Sequence, residues 1–90
     1  MISLVQIKDA EAEIGTRLRE TRKATGLTQA QLAVRAGTNQ PVIQKIESGH
    51  SQRPRMLADL SHVLKVNPAW LQWGDLFASV ELPNVQQRPE

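Results

Sequence analysis

"TQAQLAVRAGTNQPVIQKIES", residues 28–48, places two short apolar patterns on either side of one glycine, Gly37. Thr28 and Gln31 form a T-x-x-Q capping box, in which hydroxyl and amide satisfy each other's orphan backbone N–H groups, so a helix is predicted to start there. Ala30, Leu32, Ala33 and Ala36 supply its inner face. Gly37 stops it, because glycine takes the left-handed conformation that turns the chain sharply. Asn39 is the expected N-cap of the following helix, and Pro41 falls in its first turn, where a missing N–H costs nothing. Ile43 and Ile46 anchor that second helix and Ser48-Gly49 ends it. Gln40, Pro41, Gln44 and Lys45 are left projecting on the other side. Ala33 sits where the two axes cross, and only a small side chain permits a close crossing. Two short helices around a tight turn, the second held proud of the body, make a helix-turn-helix.

Working outward, the segment from about Asp9 to Thr25 has Ile14, Leu18 and Thr21 at helical spacing and ends at Gly26. After the motif, "HSQRPR" is a loop stiffened by Pro54. A further helix is expected from Arg55 or Met56 to Lys65, with Leu57, Leu60, Val63 and Leu64 inward. Asn67 caps a short last helix with Pro68 at its first position, then Trp70 and Leu71, stopping at Gly74. The ends read less clearly. "ISLVQI" and "SVEL" have β character and could pair as terminal strands or remain frayed tails; "PNVQQRPE" reads as disordered. The expected organisation is an N-terminal extension over residues 1–13, a helical domain over 14–75 and a C-terminal extension over 76–90.

Composition limits what such a domain does. Ninety residues suit one domain. With no cysteine, a disulfide scaffold and a thiolate metal site are excluded, and a reducing cytoplasm fits. No apolar run approaches a membrane span, and "ISLVQI" lacks a basic leader. The net charge of +2 hides an asymmetry. Residues 14–65 carry nine Lys and Arg against three Asp and Glu, whereas the two ends carry two against six. A basic middle with acidic ends suits a polyanionic partner, although a merely solvated basic face has the same signature.

The polar side of residues 39–48 makes the partner specific. A protruding helix fits the major groove of B-DNA, Gln and Asn amides match the edge of adenine, Lys45 can donate to guanine O6 and N7, and Pro41 can pack on a thymine methyl. Exposed polar residues on an ordinary surface helix are the rival reading. One such glutamine would carry no weight, whereas the set on one face, inside a basic segment, does.

From about Ile14 to Asp75 the sequence resembles the lambda-repressor-like, or XRE, helix-turn-helix family, and is particularly similar to the short repressors and Cro proteins of lambdoid phages. The resemblance rests on "IGTRLRETRKATGLTQAQLAVRAGTNQPVIQKIESG" and "RPRMLADLSHVLKVNPAWLQWGD". It implies an all-α fold of five helices that binds double-stranded operator DNA, usually as a homodimer. By the same resemblance, Asn39, Gln40, Pro41, Gln44 and Lys45 face bases, with Gln40 and Lys45 at the main base-contacting positions. Position 41 is commonly polar in the family, so Pro41 forgoes a hydrogen bond there. Arg22, Lys23, Thr28, Gln29, Thr38, Ser48, Ser51, Arg53 and Arg55 are implied to face the DNA backbone or minor groove. Gln29 does so from a helix N-terminus, and the arginines of "RPR" favour narrow A·T-rich DNA. Arg22 and Glu47 match an ion pair joining the first helix to the reading helix. Pro54, Met56, Trp70 and Trp73 fall where relatives dimerise, and Trp73 either strengthens that contact or folds back onto Leu76, Phe77 or "ISLVQI".

An enzyme is not expected. His50 and His62 are isolated, and no nucleophile–base constellation, metal-ligand spacing or phosphate-binding glycine loop occurs. No cofactor, small-molecule substrate or membrane partner is implied, and the expected location is the cytoplasm, at the nucleoid. The serious rival shares the fold: an antitoxin that neutralises a toxin partner and binds its own promoter, with the extensions serving the toxin.

Overall fold

Six helices account for the regular structure in the computed structural model, which describes residues 2–76. They are α1 (Leu4–Ala12), α2 (Ile14–Ala24), α3 (Gln29–Ala36), α4 (Gln40–Glu47), α5 (Leu57–Leu64) and α6 (Pro68–Trp73). The all-α fold is the expected one, with one helix more than the resemblance implies. The extra helix is α1. Ser3 Oγ accepts from the Gln6 N–H at 3.2 Å and the Ser3 N–H donates to Gln6 Oε1 at 2.8 Å, a second capping box. "ISLVQI" is therefore neither strand nor tail. "SVEL", proposed as its partner, and "PNVQQRPE" lie outside the described residues. The single helix expected from Asp9 to Thr25 is likewise two helices, separated at Glu13, whose backbone (φ −101°, ψ 10°) leaves the α-region.

The core is one cluster of Ile14, Leu18, Leu27, Leu32, Ala33, Ala36, Ile43, Ile46, Leu60, Leu64 and Leu71. Leu18, Leu32, Ile43, Ile46, Leu60 and Leu71 are wholly inaccessible. Burying each such side chain is worth roughly 1.5–3 kcal/mol. Ala30, placed on the inner face by the sequence reading, is exposed, so α3 seats itself through Leu32, Ala33 and Ala36. Gly37 ends α3 in the left-handed region at φ 78°, and the Thr38 N–H closes the turn on the Ala33 carbonyl at 2.8 Å.

Two devices hold α4 to α2. At Gly15 the backbones nearly touch: a Cβ there would lie 2.4 Å from the Ile46 carbonyl oxygen and 2.8 Å from that of Glu47. About two turns along α2, Arg22 meets Glu47 in a bidentate pair, Nε to Oε2 at 2.6 Å and Nη2 to Oε1 at 3.0 Å. Arg22 Nη1 also donates to the Leu27 carbonyl at 2.8 Å. Both residues are buried. Hydrogen bonding to Glu47 raises the Arg22 pKa, against the opposing effect of burial.

A third anchor joins α1 to α6. Arg17 donates from Nε to the Leu71 carbonyl at 2.9 Å, and from Nη2 to the carbonyls of Ala10 and Gln72 at 2.7 Å each. Burial lowers its pKa, with Glu13 and Asp75 opposing. Among the described residues every buried side-chain nitrogen and oxygen has a partner, as a well-specified interior requires.

Gly15→Ala is expected to destabilise the fold by about 1–3 kcal/mol in chemical denaturation, because backbone rather than a flexible side chain would have to yield. Arg22→Ala strands a buried carboxylate and should cost roughly 3–5 kcal/mol. A double-mutant cycle with Glu47→Ala should show coupling of about 0.5–3 kcal/mol, and additive effects would refute a cooperative pair.

Candidate nucleic-acid interface

With Ile43 and Ile46 fully buried, helical spacing turns Gln40, Pro41, Gln44 and Lys45 outward, and all four are exposed. Asn39 is exposed too, but its Oδ1 caps the helix by accepting from the Val42 N–H at 3.3 Å. Its amide nitrogen is the part left for other partners. Pro41 stands in the first turn.

Gln40 is tied into the body. Its Nε2 donates to Gln29 Oε1 at 2.6 Å, and Gln29 Nε2 donates to Glu47 Oε1 at 3.0 Å, the same oxygen that Arg22 engages. The chain of bonds has a direction. The Glu47 carboxylate only accepts, so Gln29 must turn its NH₂ toward Glu47 and its carbonyl toward Gln40. Gln40 therefore faces Gln29 with its NH₂, keeping its own Oε1 and a second N–H for an outside partner. One acceptor beside one donor is the arrangement that matches adenine N6 and N7. Gln29, half-buried, works here as the link between the buried ion pair and the reading face.

Beside α4 runs a groove lined by Arg19, Arg22, Lys23, Gln29, Gln44, Glu47 and Ser48. Arg22 is buried and its guanidinium is committed to Glu47 and Leu27, so the positive charge available to solvent comes from Arg19 and Lys23, both exposed. The sequence reading omitted Arg19. Its i, i+4 spacing from Lys23 places the two on one face of α2 and is the signal that could have found it.

The remaining positions are spread more widely. Thr28 caps α3, its Oγ1 accepting from the Gln31 N–H at 3.0 Å. Ser48 Oγ lies 2.8 Å from His50 Nδ1 and 3.2 Å from the Lys45 carbonyl. Thr38, Ser51, Pro54, Arg55 and Met56 line a shallow hollow with Val42. Arg55 is exposed and makes no hydrogen bond or ion pair with a described residue. Arg53 does: its Nε pairs with Glu11 of α1, and its guanidinium lies 5.3 Å from the Trp73 ring centroid.

The tryptophans sit differently from one another. Trp70 packs partly buried against the protein's own core. Trp73 is half-buried with the Arg53 guanidinium over its ring; Phe77, one of the partners suggested from sequence, lies outside the described residues. Met56 also packs against the core.

The chain is similar to known helix-turn-helix proteins. A family model described as "Helix-turn-helix" matches residues 18–71. The chain is 36% identical over 77 residues to the HTH-type transcriptional regulator for conjugative element R391 of Providencia rettgeri, and equally to that for element SXT of Vibrio cholerae. Each alignment covers 86% of this chain and 36% of the relative. It is also 39% identical over 59 residues, 66% of its length, to 23% of the HTH-type transcriptional regulator PrtR of Pseudomonas aeruginosa. The chain thus spans about a third or less of the length of these relatives. The fold, the matched segment and these similarities place the chain in the helix-turn-helix family of lambda-repressor-like, XRE/Cro/C1-type DNA-binding domains.

Proposed function

We propose that this chain is a sequence-specific double-stranded DNA-binding transcriptional regulator, acting as a repressor from a palindromic operator. The observation that carries the reading is the two-sidedness of α4, whose isoleucines are wholly buried while its amides and amine stand exposed. In this reading α4 enters the major groove, Gln40 reads adenine and Lys45 reads guanine. Arg19, Lys23 and Arg55 contact phosphates, which fix register without reading sequence.

One α4 covers few base pairs, so useful affinity calls for two half-sites about 34 Å apart and a homodimer to span them. The hollow that includes Pro54 and Met56 is the proposed contact between copies, and the partly exposed Trp70 is proposed to join it. A dimer across a promoter blocks polymerase access by occupancy alone. The named regulators similar to this chain support a role in transcription. Among the described residues no helix is long and apolar enough to cross a membrane, and the proposed location is the nucleoid.

Footprinting on the DNA upstream of the chain's own gene should show protection over two symmetric half-sites. Lys45→Ala is expected to relax discrimination at one base pair by about 1–3 kcal/mol, whereas Lys23→Ala should weaken all sequences alike and reduce the salt slope by about one unit. A Lys45→Ala variant that weakened every duplex equally would overturn the assignment of base contacts. Gln29→Ala should lower discrimination at the base pair read by Gln40, because the Gln40 amide then loses the bond that orients it. Binding to duplexes altered at that position, compared with wild type, checks this.

A further inference from the structure

We propose that Glu11 of α1 is a positioning residue for DNA binding: it sets Arg53, in the loop after α4, as a preformed clamp for a backbone phosphate. The proposal rests on the duplex-binding reading above and names a part of the site outside the matched segment of residues 18–71.

The loop is held at three points. Gln72 Nε2 of α6 donates to the Gln52 carbonyl at 2.6 Å and pins the loop backbone. The Glu11 carboxylate, with a side chain 10% exposed, pairs with Arg53 through Nε alone. Trp73 approaches one face of the guanidinium, a cation–π arrangement. The Arg53 side chain is nonetheless 68% exposed, and neither Nη is hydrogen-bonded to a described residue. The outer edge of the fork is thus presented to solvent with its orientation already chosen. That edge is the one that takes phosphate oxygens in pairs. Glu11 is itself largely buried, so Arg53 cannot leave it without stranding a carboxylate, and the clamp keeps its place when a phosphate arrives.

Glu11 has two opposed effects on a phosphate at that edge. Its bond immobilises Arg53 in advance, which spares the ordering cost at binding; its charge repels the phosphate. The two are separable, because Gln keeps an acceptor for Nε and loses the charge, whereas Ala loses both.

The test uses the full chain and a duplex that the wild-type protein selects from a random pool, with Kd measured across a salt series. Glu11→Gln should bind more tightly than wild type, with a salt slope steeper by up to about 0.9. Glu11→Ala should bind roughly 2- to 10-fold less tightly than Glu11→Gln. In an Arg53→Ala background the two substitutions should bind alike. Equal binding by Glu11→Ala and Glu11→Gln while Arg53 is present overturns the positioning role. Should Glu11→Ala fail to fold, the isosteric Glu11→Gln decides: a Kd and salt slope unchanged from wild type overturn the proposal. A wild-type chain that selects no duplex sinks the DNA-binding reading and this inference together, whereas selection with no response at Glu11 sinks this inference alone.

Discussion

The contact between α2 and α4 is the constraint on which the rest depends. A reading helix has to be held hard from one side while its other side stays polar and open. Eight residues supply too little apolar surface for that on their own, since only Ile43 and Ile46 lie wholly beneath α4. The seam is completed by backbone and by charge. Gly15 lets α2 come within reach of the last carbonyls of α4, and Arg22 then locks the neighbouring turn through Glu47. An alanine at one place or a shorter side chain at the other would leave α4 free to tilt.

The buried pair does more than fasten. Isolated ion pairs in protein interiors are weak sources of stability, because desolvation offsets most of the Coulomb gain. Replacing Arg22 and Glu47 together by apolar residues of similar volume could therefore leave the fold as stable. Such a replacement would lose direction, because an apolar pair cannot dictate which way the Gln29 amide turns, nor through it what Gln40 offers outward. The ion pair is better understood as a specification of hydrogen-bond polarity that begins in the core and ends at the surface. A buried network of this kind works only when its buried members are satisfied, and among the described residues no buried side-chain nitrogen or oxygen lacks a partner.

Much of this was legible in the sequence because its signals are local. Capping at Thr28, Asn39 and Asn67 and the turn at Gly37 act over three or four residues, and the structure uses them as read. The Ser3–Gln6 box is the same signal, but the apolar residues around it, Ile2, Leu4, Val5 and Ile7, suggested a strand. Local capping and helical bonding won over β propensity, with Leu4 and Val5 left exposed. The division at Glu13 had no glycine or proline to announce it. Glycine inside a helix costs up to about 1 kcal/mol against alanine, so Gly15 did carry a hint of close packing, though not of its partner. The pairing of Glu11 with Arg53 spans 42 residues. No periodicity encodes such a contact, and from sequence Arg53 could be assigned only toward DNA.

Arg17 ties three carbonyls, one from α1 and two from α6, to a single planar group. Helices of nine and six residues are too short to persist alone in water, so each borrows permanence from the other through that group. Gly74 leaves the space the guanidinium fills, since a Cβ there would stand 2.9 Å from its Nη1. Fraying of either helix meets the same lock. α1 and α6 thereby become one opening unit, and whatever holds or releases the first helix is felt by the last.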